Sequence, residues 1–174
     1  MPLFIIPKIA LLKVQTSTAG GDSVTGASEQ TFATTGTIPA NTATVGTRYR
    51  IRAFGTYGSF STPGSVTVKV KFGSTVVAAT ASFANTASMS GRGWTVDVDV
   101  IVRTAGASGV VQAGGWADLA TASKNSLACE MPSQNTAAID FTAAITAAIS
   151  ITQTNSNAAN AWTMDGLSIE AGTV

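Results

Sequence analysis

The chain has 174 residues, a formal net charge of +1 and 11% charged side chains, while Ala, Thr, Ser and Gly together occupy 89 positions. It contains no histidine and one cysteine, which excludes imidazole bases, Ser-His and Cys-His nucleophile pairs, histidine metal ligands, intrachain disulfides and cysteine zinc sites. The length supports one substantial core. So low a charge suits a surface covered by assembly, and near neutrality gives no bulk attraction to nucleic acid or anionic lipid, so neither is an expected partner.

Residues 3–14, LFIIPKIALLKV, form a strongly apolar segment at the start of the sequence. Pro2, Pro7, Lys8 and Lys13 interrupt it in a way that a secretory signal does not, and it is too short to span a bilayer. Two readings fit it: a first strand of the domain, or an arm docking on a neighbouring subunit through Leu3, Phe4, Ile5, Ile6, Ile9, Leu11 and Leu12. In the second, the polar stretch Gln15–Gln30, with Gly20, Gly21 and Gly26, is the tether. The expected organisation is an arm and flexible linker over 1–29 followed by one domain over 30–174.

From residue 31 onward, strand-length runs of period two are cut by Gly, Pro, Asn or Ser. Phe32–Ile38 is a short first strand. Thr47–Tyr57 puts Tyr49, Ile51, Ala53 and Tyr57 on one face and Arg48, Arg50 and Arg52 on the other. Val66, Val68, Val70 and Phe72 share a face opposite Thr67, Lys69 and Lys71. Gly73-Ser74 then closes a tight hairpin, with Thr75–Phe83 returning antiparallel. Gly93–Thr104 is the clearest strand, with Trp94, Val96, Val98, Val100 and Val102 alternating with Thr95, Asp97, Asp99, Ile101 and Arg103. Gly109–Leu119, a weaker Ser126–Met131, Ile145–Thr152 and Trp162–Glu170 complete the set. In the last, Trp162 and Met164 belong to one phase and Leu167 and Ile169 to the other, which places a bulge at Gly166. The fold class expected is all-β: a two-sheet antiparallel β-sandwich of Greek-key or jelly-roll order, with the connections 84–93 and 120–138 crossing between sheets.

The arginine ladder 48/50/52 and the lysine pair 69/71 carry positive charge, and Asp97 and Asp99 carry negative charge on one strand face. Cross-strand pairing within the chain explains these ladders, with a charge seam between subunits as the rival. The two aspartates lack the further oxygens of a calcium site and the aromatic-walled cleft of a glycosidase. Trp94, Trp116 and Trp162 read as core and strand-end residues, with subunit-interface anchoring second. A sugar-stacking role lacks a visible neighbouring cluster of Asn, Asp and Arg. Cys129 reads as a small buried hydrophobe. No cofactor, metal or catalytic residue is indicated.

The stretches QTFATTGTIPANTATVGTRYRIRAFGTYG, TPGSVTVKVKFGSTVVAATA, GWTVDVDVIVRTAGASGVVQAGG and ISITQTNSNAANAWTMDGLSIE, spread over residues 30–171, resemble jelly-roll or β-sandwich structural proteins of tailed bacteriophages. The likeness lies in pattern rather than in a strict motif. It implies a virion protein made in the host bacterial cytoplasm, assembling as a homo-oligomer, with a trimer favoured. The first expectation is a non-enzymatic cement or decoration protein on the capsid surface, bound to the major capsid protein or other virion proteins. Arg48, Arg50, Arg52, Asp97, Asp99, Trp94, Trp116 and the apolar arm would supply its contacts. The alternative is a receptor- or glycan-binding module of a tail or fibre, for which the loop Phe83–Trp94 is the candidate contact region. A carbohydrate-active enzyme working through Asp97 or Asp99 is the third.

Overall fold

The computed structural model describes residues 10–16, 22–121, 126–134 and 137–173. All of its regular elements are strands: β1 (Ala10–Thr16), β2 (Asp22–Val24), β3 (Glu29–Thr31), β4 (Gly36–Ile38), β5 (Thr47–Tyr57), β6 (Ser65–Phe72), β7 (Thr75–Ala79), β8 (Phe83–Ala84), β9 (Arg92–Thr104), β10 (Val110–Ala120), β11 (Ser126–Glu130), β12 (Ile145–Gln153) and β13 (Trp162–Thr173). They form two antiparallel sheets. The larger runs β1-β13-β5-β9-β10-β11, with β2 also on β13, and the smaller runs β3-β12-β6-β7, with β4 on β12 and β8 on β6.

This is the expected sandwich, and its core comes from the alternating faces. Tyr49, Ile51 and Ala53 of β5 and Val96, Val98, Val100 and Val102 of β9 are buried facing Val66, Val68, Val70 and Phe72 of β6 and Ile149 and Ile151 of β12. Period-two burial with β-branched side chains stabilises the pleated state and fixes the facing of each strand. At one end of the core an aromatic cluster spans the two sheets. Phe32 stacks on Trp94 at 5.8 Å, Trp94 meets Trp162 at 6.0 Å, and Trp162 stacks on Tyr57 at 4.9 Å between ring centroids. The Trp94 indole N–H donates to the carbonyls of Thr56 (3.2 Å) and Thr163 (3.1 Å), tying β9 to β5 and β13.

The turn at Gly73 has φ 60°, the left-handed conformation that a tight hairpin requires. At β13 the pairing with β5 shifts register between Met164 and Gly166, so Trp162, Met164, Leu167 and Ile169 all reach the core despite their opposite phases.

Some boundaries differ from the expectation. Of Phe32–Ile38 only Gly36–Ile38 is strand, β4; β3 lies ahead of it at Glu29–Thr31, both pair with β12, and Phe32 between them turns into the core. The return strand after Gly73 is interrupted after Ala79. There Thr80 both accepts from the Val68 N–H through its hydroxyl (3.0 Å) and donates its own N–H to the Val68 carbonyl (3.0 Å). The 84–93 connection does cross between sheets, but the 120–138 stretch first adds β11 to the edge of the larger sheet. Within the segment expected as arm and linker, Ala10–Thr16 pairs with β13 and Asp22–Val24 extends along the same edge.

On the smaller sheet the lysine pair does not meet the aspartates. Lys69 and Lys71 both reach Glu29, the latter at 2.8 Å, and the Ser150 hydroxyl donates to the same carboxylate at 3.0 Å. Burial acts to raise the Glu29 pKa, but the hydrogen bonds from Lys69, Lys71 and Ser150 together outweigh it and bring it to about 2. A lowered carboxylate pKa adds stability above the unfolded value, which is lost as pH falls through the folded one. Glu29→Gln is therefore expected to cost about 1 kcal/mol at pH 7. In urea titrations the gap between wild type and variant should close between pH 4.5 and about 2.

Candidate functional site

The outer face of the larger sheet is built by the residues that alternate with its core. The register places Ser168, Arg52, Asp97, Trp116 and Glu130 in one row across β13, β5, β9, β10 and β11. The next row holds Gly166, Phe54, Thr95, Asp118 and Ala128. Trp116 is 58% exposed and Phe54 is 52% exposed, large apolar rings left in solvent on a sheet that otherwise buries its aromatics. They belong to one surface.

Glycines shape that surface. Gly93, Gly114 and Gly166 occupy outward positions around the two rings, where other residues would project side chains. A Cβ on Gly166 would come within 2.5 Å of the Phe54 ring, so this glycine is what lets the ring lie against β13. At Gly114 the same position opens onto empty space.

Two hollows result. The larger, about 560 Å³, is lined by Arg52, Phe54, Thr95, Asp97, Trp116, Gly166 and Ser168 among others. The smaller, about 390 Å³, is lined by Phe54, Gly93, Thr95, Asp118, Ala120 and Ser126 among others. Phe54 and Thr95 border both, so the hollows are two halves of one groove divided by the Phe54 ring.

The charge ladders pair within the chain, as the cross-strand reading expected. Arg48 holds Asp99 through Nε (2.8 Å) and Nη2 (2.6 Å), and Arg50 holds Asp97 through Nε (3.1 Å) and Nη2 (2.8 Å). Both pairs are diagonal, because the register sets Arg50 opposite Asp99 and Arg48 opposite Ile101. Arg52, opposite Asp97, adds a third bond from Nε to Asp97 Oδ2 at 3.1 Å. Hydrogen bonding by Arg50, with smaller help from Arg52, holds the Asp97 carboxyl below the usual carboxylate range against the effect of its partial burial. Asp97 is thus an ionised carboxylate with three N–H donors on it, which does not equip it as a general acid. Among the described residues no three His, Cys, Asp or Glu side chains gather as metal ligands.

The three tryptophans separate. Trp94 and Trp162 are core residues, 2% and 0% exposed, and only Trp116 is on the surface. The Asp and Arg that the sequence did not show beside Trp116 are Asp97 and Arg52, brought into its row by strand pairing. The phase of β10, with Val111, Ala113, Ala117 and Leu119 buried, is the local signal that turns Trp116 outward.

The loop Phe83–Trp94 does not gather exposed aromatics: Met89 and Trp94 are buried and Phe83 packs against the core. Its Ser59 contact explains the fold-back, since the Ser59 Oγ accepts from the Met89 N–H at 3.0 Å and donates to the Thr86 carbonyl. Cys129 is half-buried rather than fully buried, and burial, reinforced by the Asp118 charge, pushes its thiol pKa up. Such a thiol is a poor nucleophile. Of the apolar arm residues, Leu11 and Leu12 fall within β1, while Leu3, Phe4, Ile5, Ile6 and Ile9 lie outside the described residues.

No protein-family model matches the chain, and no curated protein matches it. A solved structure similar to it is that of the CBM2 module of the evolved Dit of Lactobacillus casei BL23 phage J-1. The two share 8% sequence identity over 98% of this chain and 99% of that one, with a TM-score of 0.43.

Proposed function

We propose that the chain is a non-enzymatic glycan-binding module of a bacteriophage virion, and that the outer face of its larger sheet is the binding surface. The phage setting rests on the resemblance of stretches within residues 30–171 to structural proteins of tailed bacteriophages. The glycan reading is carried by one observation: Trp116 and Phe54 stand exposed in a shallow groove, Phe54 dividing it, that also holds Arg52, Asp97, Thr95 and Asp118.

A pyranose ring has apolar C–H faces and a rim of hydroxyls. Aromatic faces bury the first, and neighbouring hydrogen-bonding side chains satisfy the second. Rigid strands supply both without the entropy cost of ordering a loop on binding. A cement role would use this same chain as an adhesive, but a groove with two proud rings suits a chain-like ligand better than a flat protein surface does.

A glycan array probed with the full chain and with Trp116→Ala/Phe54→Ala tests the reading. Binding by the wild type that the double variant loses, at unchanged circular dichroism, is the expected result. Equal signals from both proteins would refute it. Gly166→Ala gives a finer test, because its methyl group would displace the far end of a flexible side chain rather than backbone. That variant should fold normally and bind the same glycans several-fold more weakly by calorimetry.

A further inference from the structure

We infer that the larger hollow takes an acidic sugar unit, one bearing a carboxylate or phosphate, and that the smaller hollow takes a neutral, hydroxyl-rich one. This inference rests on the glycan reading and assigns the chemical class of the ligand and its direction along the groove.

The charge arrangement carries it. Asp97 and Arg52 are the charged groups that line the larger hollow. Asp97 is already occupied: Arg50 binds both of its oxygens and Arg52 Nε adds a third donor. Arg52 is not. It is 54% exposed and spends only Nε on Asp97, which leaves its Nη edge without a protein partner among the described residues. The adjacent charges are matched elsewhere, Arg48 by Asp99 and Arg50 by Asp97. Glu170, opposite Arg50 in β13, and Glu130, opposite Trp116 in β11, do not line either hollow. A planar guanidinium edge beside an aromatic face is the geometry that receives an oxyanion bidentately.

The smaller hollow has the opposite character. Asp118 is the charged residue that lines it, and no side-chain hydrogen bond holds its carboxylate among the described residues. A carboxylate in that state accepts from a donor such as a sugar hydroxyl and repels an anion. Phe54, between the hollows, separates the two environments. A glycan crossing the groove therefore reads as an acidic unit on the Trp116 side and a neutral unit on the Asp118 side.

Calorimetry with matched oligosaccharides tests this directly. The probes are oligogalacturonates, their methyl esters, phosphodiester-linked glycerol-phosphate glycans, and neutral oligosaccharides of the same lengths. The wild type is expected to bind one acidic series at least tenfold more tightly than its neutral match. That preference should weaken several-fold between 50 and 500 mM NaCl. The ester arm and the phosphodiester arm distinguish carboxylate from phosphate. Arg52→Gln should abolish the preference and Arg52→Lys should retain part of it. Both variants should fold, because Arg50 still holds Asp97. Asp118→Asn should weaken acidic and neutral ligands alike. Trp116-dependent binding that is equal for charged and neutral glycans and indifferent to Arg52→Gln would overturn this inference while leaving the glycan reading intact. Absence of binding to every glycan would overturn both.

Discussion

Replacing Trp116 with alanine is expected to lower glycan affinity at least about 30-fold, roughly 2 kcal/mol, with no change in fold. The indole projects from the middle of β10 and is 58% exposed, so its removal leaves neither a cavity nor an orphaned buried donor. Substitutions at such positions ordinarily shift stability by no more than about 0.5 kcal/mol. Its neighbours make the loss specific to binding. Gly114 leaves the space beside it open, and Asp97, opposite it in register, is fixed by two arginines. The platform is therefore preorganised, and removing its largest apolar surface removes the area on which a sugar face would lie. Calorimetry with the best array ligand measures the affinity, and a thermal melt of the same sample measures the fold.

Trp94→Ala should do the reverse. Its side chain is 2% exposed and lies between Phe32 and Trp162 in the aromatic cluster that joins the two sheets. Truncation deletes most of a large buried ring and leaves a cavity that the strands can only partly close, a cost of about 3–5 kcal/mol. It also leaves the Thr56 and Thr163 carbonyls without the indole donor. For a domain of this size that loss lowers the melting temperature by roughly 6–20 °C. Urea unfolding followed by circular dichroism gives the free energy. If Trp94→Ala unfolded at the wild-type urea concentration, the cluster would not be the joint described here.

These two tryptophans show what the sequence could and could not carry. The alternation in β5 and β9 is strict, and in β9 it is carried by β-branched valines, so their extents and facing can be read residue by residue. The bulge at Gly166 is equally legible, since two apolar phases meet there. Trp116 is harder, because Gly114 and Gly115 blunt the alternation on either side of it, although Val111, Ala113 and Leu119 still set the phase. The partners of Trp116 are not local at all. Asp97 and Arg52 reach its row only through pairing across three strands, and register between distant segments is not encoded in any one of them. The same holds for Glu29. Its partners Lys69 and Lys71 lie about forty residues away in sequence, so the lysines looked like candidates for the aspartates, which are on the other sheet.

Asn160 was also hidden. It is fully buried in a loop, accepting from the Phe60 N–H at 2.7 Å and donating to the Asn155 carbonyl at 3.2 Å. A polar residue in a polar stretch gives no sign that it will become the pin of two loops. Its role follows from buried hydrogen bonding rather than from composition.

The central claim is that the outer face of the larger sheet, and not its loops or edges, receives a glycan. The most direct measurement is an amide and indole chemical-shift titration of the full chain with an oligosaccharide taken from the array. The account predicts that shifts concentrate on the Trp116 indole and on the amides of Phe54, Thr95, Asp118 and Gly166, with the smaller sheet unaffected. Shifts confined to the loop Phe83–Trp94 or to the face carrying Lys69 and Lys71 would contradict it.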